Sequence, residues 1–202
     1  DAMNRKEVFG TSGTRLTVRV YGGYDYTGDE IKAADWAKVA CAKGVPMGGD
    51  LMAAAEGQIP SFLVQARKDP DGANLDRIQV VKGWLDADGQ THEQVFDVSW
   101  SDADKRPRGA NGKVPSVGSS VNEREATYTN SIGATNLTAY WKDPSFDPSQ
   151  KAFYYVRVME IPTPTWLAYD RKNFNLYDEM PAKAPYSSQE RAYTSPIWYN
   201  PS

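Results

Sequence analysis

The sequence is poor in cysteine and histidine, with one residue of each, Cys41 and His92, among 202. A single cysteine cannot form a disulfide within the chain or build a cysteine-based zinc cluster. A single histidine excludes a binuclear metal site that takes several histidine ligands from this chain. We therefore expect no cofactor in the chain itself.

The chain also lacks an excess of charge of one sign. Its 23 Lys and Arg face 26 Asp and Glu, which leaves a formal net charge of -3. This near balance provides no basic surface for nucleic acid or for an anionic membrane. No run of about 18 apolar residues occurs that could form a membrane-spanning helix. We expect neither a nucleic-acid partner nor a membrane span.

What the sequence does contain is a series of short strand-like segments. Residues 15–21 alternate strictly, with Leu16, Val18 and Val20 on one face, and this period of two indicates a half-buried strand. Seven further segments resemble strands: 61–67, 77–85, 94–100, 126–130, 137–142, 153–161 and 194–199. Together they predict a mainly β fold, an antiparallel β-sandwich-like domain with one or two peripheral α-helices and long loops.

One helix stands out, over residues 29–42. Thr27 and Glu30 have the spacing of a capping box, and Gly44 is suited to the position after the helix end. Cys41 falls on the apolar stripe of this helix, so we expect a buried, inert thiol.

The remaining segments predict turns and loops. Residues 86–89 (Asp-Ala-Asp-Gly) are typical of a hairpin turn, and residues 102–120 and 44–51 indicate loops. The proline-bounded segment 162–185 predicts an irregular excursion. Residues 1–7 resemble the end of an amphipathic helix, which suggests a mid-protein start.

A first candidate site is the loop that contains Thr11, Ser12 and Arg15. Its hydroxyls, Gly13 and a guanidinium could hold a phosphate or a carboxylate. The alternative is a structural turn in which Arg15 pairs with an acidic residue.

Carboxylates and His92 provide two more candidates. Asp69, Asp71 and Asp76 surround Gly72 in a pattern like half of a calcium loop. If they hold a metal, the chain could be an independent hydrolase, but the same residues also build ordinary turns. His92 could act as a general base or a metal ligand, or it could be an exposed hairpin residue.

The sequence has many aromatic residues, 6 Trp and 12 Tyr. Flat aromatic rings suit the apolar faces of pyranose sugars, so a carbohydrate-binding surface is one interpretation. Trp84, Trp100 and Tyr155 lie in strand patterns and are expected in the core. Trp166 and Tyr169, in the proline-bounded segment, are the better surface candidates.

Five blocks along the chain resemble one known family, the bacterial domain-of-unknown-function family 3604. The blocks are TSGTR (11–15), GVPMGGDL (44–51), DRIQVVKGW (76–84), FYYVRV (153–158) and SPIW (195–198). They follow one another over almost the whole chain. In that family, a metal-dependent phosphoesterase-like (PHP-like) domain with His and Asp ligands precedes this portion.

The resemblance implies that residues 1–14 end a preceding PHP-like domain and that residues 15–202 form a β-rich C-terminal domain. It implies a non-catalytic role here, with the upstream catalytic domain as partner and a divalent metal in the parent protein. It also implies a periplasmic or secreted location. The alternative is a self-standing β-sandwich module that binds a carbohydrate or another small ligand.

Overall fold

The computed structural model describes residues 1–201. This range contains eleven β-strands, one short 3-10 helix (Glu30–Lys32) and two α-helices, α1 (Trp36–Lys43) and α2 (Trp166–Asn173). The strands are β1 (Phe9–Thr11), β2 (Thr17–Gly23), β3 (Gly44–Pro46), β4 (Asp50–Leu51), β5 (Ser61–Arg67), β6 (Leu75–Leu85), β7 (Thr91–Trp100), β8 (Asn136–Lys142), β9 (Ala152–Pro164), β10 (Ser187–Thr194) and β11 (Ile197–Tyr199). No helix in residues 1–201 has the length and apolar character needed to cross a bilayer.

The strands form two sheets, and the larger one is built around β9. One edge of β9 pairs with β6, which pairs in turn with β7. The other edge pairs with β10 along its C-terminal part and with β11 along its N-terminal part. β1 extends the sheet beyond β10, and β4 extends it beyond β11 in parallel orientation. The smaller sheet has the antiparallel order β3-β2-β5-β8.

The two sheets face each other across one hydrophobic core. Alternate residues of each long strand point into it, as the period of two requires. Its buried members include Val18, Val20, Phe62, Val64, Ile78, Val80, Tyr154, Val156 and Val158. The predicted mainly β, sandwich-like fold with two peripheral helices is confirmed.

The outer face of the smaller sheet is covered by α1. Trp36 and Ala40 of the helix pack on Tyr21 and Leu63 of the sheet. The rings of Tyr21 and Trp36 meet edge to face, with centroids 5.6 Å apart. Within residues 1–201, no helix packs on the equivalent face of the larger sheet, where Tyr193 and Trp198 are partly exposed.

The predicted helix over residues 29–42 was wrong in its extent. Only the 3-10 turn and α1 are helical, because Ala33 between them is extended. The Glu30 side chain does accept the Thr27 N–H, as the capping box predicts. Gly44 starts β3 in extended conformation. Cys41 is exposed, not buried, because it lies one residue, or about 100°, beyond the inward-facing Ala40.

Several loop assignments also need correction. Residues 1–7 form turns, not the end of a helix, and the 44–51 segment contains β3 and β4. Residues 126–130 form no strand, and an isolated bridge joins Asn122 to Thr127 instead. The proline-bounded segment contains α2, because Ala168 finds a buried position beside Tyr186. Residues 102–120 form a long loop without strands or α-helix, as predicted.

The domain boundary at residue 14 stays a prediction. In the structure, β1 lies before that boundary and pairs in register with β10. Ser195 also donates its N–H to the carbonyl of Val8. The segment from Val8 to Thr11 is therefore hydrogen-bonded to the C-terminal part of the β-rich domain.

A buried ion pair lies between the two sheets. Lys82 of β6 places its ammonium 2.7 Å from Asp143, which directly follows β8. The same ammonium donates to the Ser145 carbonyl at 2.8 Å, and the Tyr154 hydroxyl donates to Asp143 at 2.7 Å. Burial, and then the charge of Asp143, raises the pKa of Tyr154, so its hydroxyl stays a donor. Full hydrogen bonding makes this desolvated pair tolerable.

We expect Lys82→Met to lower the free energy of unfolding by about 3–5 kcal/mol, because Asp143 keeps a buried charge without its partner. Urea unfolding measures the change. The matched control is Lys32→Met, since Lys32 forms an exposed pair with Asp29 at 2.7 Å, and its loss should cost less than about 1 kcal/mol. Equal effects of the two substitutions would contradict this role of Lys82.

Candidate ligand-binding cleft

A row of aromatic side chains crosses the uncovered face of the larger sheet. We call Trp198, Phe153, Tyr155 and Tyr193 the aromatic strip. Successive ring centroids lie 5.4, 6.4 and 6.3 Å apart. Trp198 and Tyr193 are each about 40% exposed. The strip therefore presents aromatic surface to solvent along β9, β10 and β11.

Gly83 makes room for the centre of this strip. It pairs with Phe153 across the β6–β9 ladder, and a Cβ at position 83 would lie 2.3 Å from the Phe153 ring. The ring thus occupies the space that any other side chain at position 83 would fill. This is the pairing of an aromatic ring with a strand glycine, in which the ring covers the exposed glycine backbone.

The strip leads into a cleft at one end of the larger sheet. Residues of β6, β7, β9 and β11 line a volume of about 530 Å³, which is in the range of small-molecule sites. We call it the aromatic cleft. Trp84, Phe153, Trp198 and Tyr199 supply its aromatic lining, and Glu93 and Lys151 add polar groups.

The β6–β7 hairpin fixes the Trp84 wall of the cleft. Gly89 has a φ of +78° in the turn, and Asp86 accepts the N–H groups of Asp88 and Gln90. His92 is hydrogen-bonded to Asp86 at 2.6 Å and stacks on Trp84, with centroids 5.1 Å apart. The hydrogen bond from His92 lowers the pKa of Asp86.

Lys82 supports the same wall from inside the sandwich. Its ammonium lies 5.2 Å from the centroid of the Trp84 ring, a distance at which a cation is attracted to an indole. The buried ion pair with Asp143 therefore also positions a residue that lines the aromatic cleft.

Comparison with protein families identifies the chain. A family model described as "Protein of unknown function (DUF3604)" matches residues 1–201. The chain belongs to this family. Comparisons with curated proteins and with solved structures find no similar protein. The DUF3604 family predicted from the sequence blocks is confirmed, and the PHP-like parent stays a prediction.

In this DUF3604 domain, the predicted anion loop is bonded to its own surroundings. Arg15 lies 3.3 Å from Asp69 and 2.6 Å from Asp71. Thr11 donates its hydroxyl to the Thr14 carbonyl at 2.6 Å, and Ser12 donates to the Glu190 carboxylate. The hydrogen bond to Asp69, followed by that to Asp71, raises the pKa of Arg15. This geometry favours the structural turn that the sequence left open.

The structure does not bring the three candidate metal ligands together. Asp76 is buried and binds Arg77 at 3.0 Å and Arg106 at 2.7 Å, whereas Asp69 and Asp71 bind Arg15. Within residues 1–201, no group of three His, Cys, Asp or Glu side chains is arranged to hold a metal ion.

Trp166 and Tyr169 lie far from the aromatic cleft. They are exposed on α2, at 70% and 43%. α2 follows the C-terminal end of β9, whereas the cleft lies at the N-terminal end. Thirteen residues of β9 span about 40 Å at roughly 3.3 Å each. The two predicted residues therefore form a separate aromatic surface.

Sequence reasoning missed the residues of the aromatic strip. Tyr155, expected in the core, is half-buried on the outer face. A signal was present: Phe153, Tyr155 and Arg157 share one face of β9, and an arginine on that face indicates solvent. The His92 prediction of an exposed hairpin residue was correct, but its place beside the cleft was not foreseen.

One buried acid has no hydrogen-bond partner within residues 1–201. Glu160 of β9 is completely buried, and neither its carboxyl oxygens nor the nearby Thr14 hydroxyl forms a hydrogen bond. Burial first, then the charges of Glu190 and Asp69, raises the pKa of Glu160 to about 7 from an ordinary 4.5. The carboxyl is therefore neutral in the folded domain in acidic solution.

Because the pKa of Glu160 is raised, we expect the stability of the domain to fall as the pH rises. Glu160 ionises near pH 4.5 in the unfolded chain and near pH 7 in the folded domain. The contribution of the neutral carboxyl to the free energy of unfolding is therefore complete below pH 4.5 and lost above pH 7. Glu160→Gln should remove that dependence, worth about 3 kcal/mol. Urea unfolding from pH 4.5 to pH 8 measures it, with exposed Glu56→Gln as control. A parallel pH profile in wild type and Glu160→Gln would refute it.

Proposed function

We propose that this DUF3604 domain is a non-catalytic β-sandwich that binds a carbohydrate in the aromatic cleft. The observation that carries the proposal is that three aromatic side chains, Trp84, Phe153 and Trp198, line one cleft at the end of the larger sheet. Phe153 and Trp198 lie on the open face of the sheet, Trp84 packs from the inner side, and the cleft between them has a volume of about 530 Å³. Flat aromatic surface of this kind suits the apolar faces of sugar rings.

The polar groups around the cleft fit the same ligand class. Glu93 and Lys151, with Asn200, line the cleft beside the aromatic residues, and they can accept and donate hydrogen bonds to sugar hydroxyls. A mostly apolar site with a few polar groups at its edge is typical of small-ligand binding.

We also propose that the domain belongs to a larger, exported protein with a PHP-like metal-dependent hydrolase domain. The sequence blocks that resemble the family support this, and so does the bonding of the only histidine. His92 is bound to Asp86 and Trp84, so metal ligands would come from the upstream domain. In the alternative, a self-standing module uses the same cleft without a catalytic partner.

Trp198→Ala should weaken carbohydrate binding at least tenfold, or about 1.4 kcal/mol, because it removes an exposed ring of the cleft. A glycan array selects the ligand, and calorimetry measures the affinity. Trp166→Ala is the matched control and should leave affinity unchanged. The proposal fails if no glycan binds, or if only Trp166→Ala weakens binding.

The isolated chain should not hydrolyse phosphate esters, even with Mn²⁺ or Zn²⁺ added. Release of p-nitrophenol from p-nitrophenyl phosphate, compared with a protein-free sample, tests this. Metal-dependent hydrolysis that Asp71→Asn abolishes would support an independent hydrolase at Asp69, Asp71 and Asp76 instead.

A further inference from the structure

A second, basic cleft adjoins the aromatic strip on the same face of the larger sheet. Its volume is about 270 Å³, and Arg77, Gln79, Arg157, Gln189 and Arg191 contribute to its lining. We call it the arginine cleft. Arg157 pairs with Tyr193 in the β9–β10 ladder, so the arginine cleft begins where the aromatic strip ends.

Two of its arginines have no carboxylate partner within residues 1–201. Arg77 forms ion pairs with Asp76 and Asp97. In contrast, Arg157 donates its Nε to the Gln79 side-chain oxygen at 2.7 Å, and neither Arg157 nor Arg191 forms an ion pair in this range. Their guanidinium groups are therefore available to an external anion.

The acidic groups nearby do not cancel this charge. Asp76 also lines the arginine cleft, but its carboxylate is paired with Arg77 and Arg106 and accepts from Gln189 at 3.0 Å. Asp97 is paired with Arg77 and accepts from Gln79 at 2.7 Å. The charges of Arg157 and Arg191 are in excess.

The two arginines lie on either side of Tyr193, because Arg157 pairs with Tyr193 across the ladder and Arg191 shares its face of β10. Interaction with Arg191, and then with Arg157, lowers the pKa of the Tyr193 hydroxyl. Both guanidinium groups also line the arginine cleft. A carboxylate oxygen placed there would meet the same donors, with the geometry that guanidinium groups favour.

We infer that the arginine cleft binds the acidic group of an anionic oligosaccharide whose sugar rings lie on the aromatic strip. Phe153 and Arg157 are four residues apart on one face of β9, about 13 Å at roughly 3.3 Å per residue. A chain of sugar rings spans that distance, whereas a free anion contacts only the arginines. The inference rests on the proposed carbohydrate binding and specifies its substrate class, a uronic-acid or sulfated saccharide.

Calorimetry with three probes tests the inference: a galacturonic-acid oligosaccharide, the neutral galactose oligosaccharide of the same length and linkage, and sulfate alone. Wild type should bind the acidic oligosaccharide at least tenfold more tightly than the neutral one. Arg191→Gln and Arg157→Gln should each abolish this preference and keep neutral binding. Arg67→Gln, an exposed arginine on the smaller sheet, is the matched control and should change neither affinity.

The outcomes separate the inference from the proposed function. Equal affinity of wild type for both oligosaccharides, or an unchanged preference in Arg191→Gln, overturns the inference while carbohydrate binding stands. Sulfate binding that matches the acidic oligosaccharide in affinity also overturns it, because the sugar rings then contribute nothing. If no oligosaccharide binds, the proposed function fails as well. Thermal unfolding of each variant checks that it is folded.

Discussion

The structure depends on the buried pair of Lys82 and Asp143. It joins the larger sheet to the chain that leaves the smaller one, at the end of the sandwich that carries the aromatic cleft. Two desolvated charges are costly unless every neighbouring donor and acceptor is satisfied. Here Ser145 and Tyr154 complete the bonding. The pair therefore links the two sheets at one place, and its ammonium lies against the ring of Trp84, which lines the cleft.

The outer face of the smaller sheet is covered by a helix, whereas that of the larger sheet is open. This difference supports the functional proposal. The smaller sheet buries Tyr21 and Leu63 under α1. The larger sheet leaves its aromatic strip open, next to Arg157 and Arg191, which form no ion pair within residues 1–201. Contiguous exposed aromatic side chains mark interaction sites, and aromatic residues and arginine contribute most of the energy at binding surfaces.

Local patterns predicted the strands well because alternation depends on nearby residues alone. Residues 61–67 and the β6–β7 hairpin appear in the structure almost as the sequence indicates. Longer-range contacts could not be predicted. The pairing of Arg15 with Asp69 joins residues 54 positions apart. Both faces of β9 carry tyrosine, at Tyr154 and Tyr155, so aromatic character alone could not decide which face of β9 the smaller sheet covers.

The most direct test is to follow the six tryptophan indole N–H signals by NMR while the acidic oligosaccharide is added. Substitution of each tryptophan by phenylalanine assigns the signals. The account predicts that the signals of Trp84 and Trp198 shift with saturating dependence on ligand, while that of Trp166 does not. Shifts at Trp166 with none at Trp84 and Trp198 would contradict it and would move the binding surface to α2.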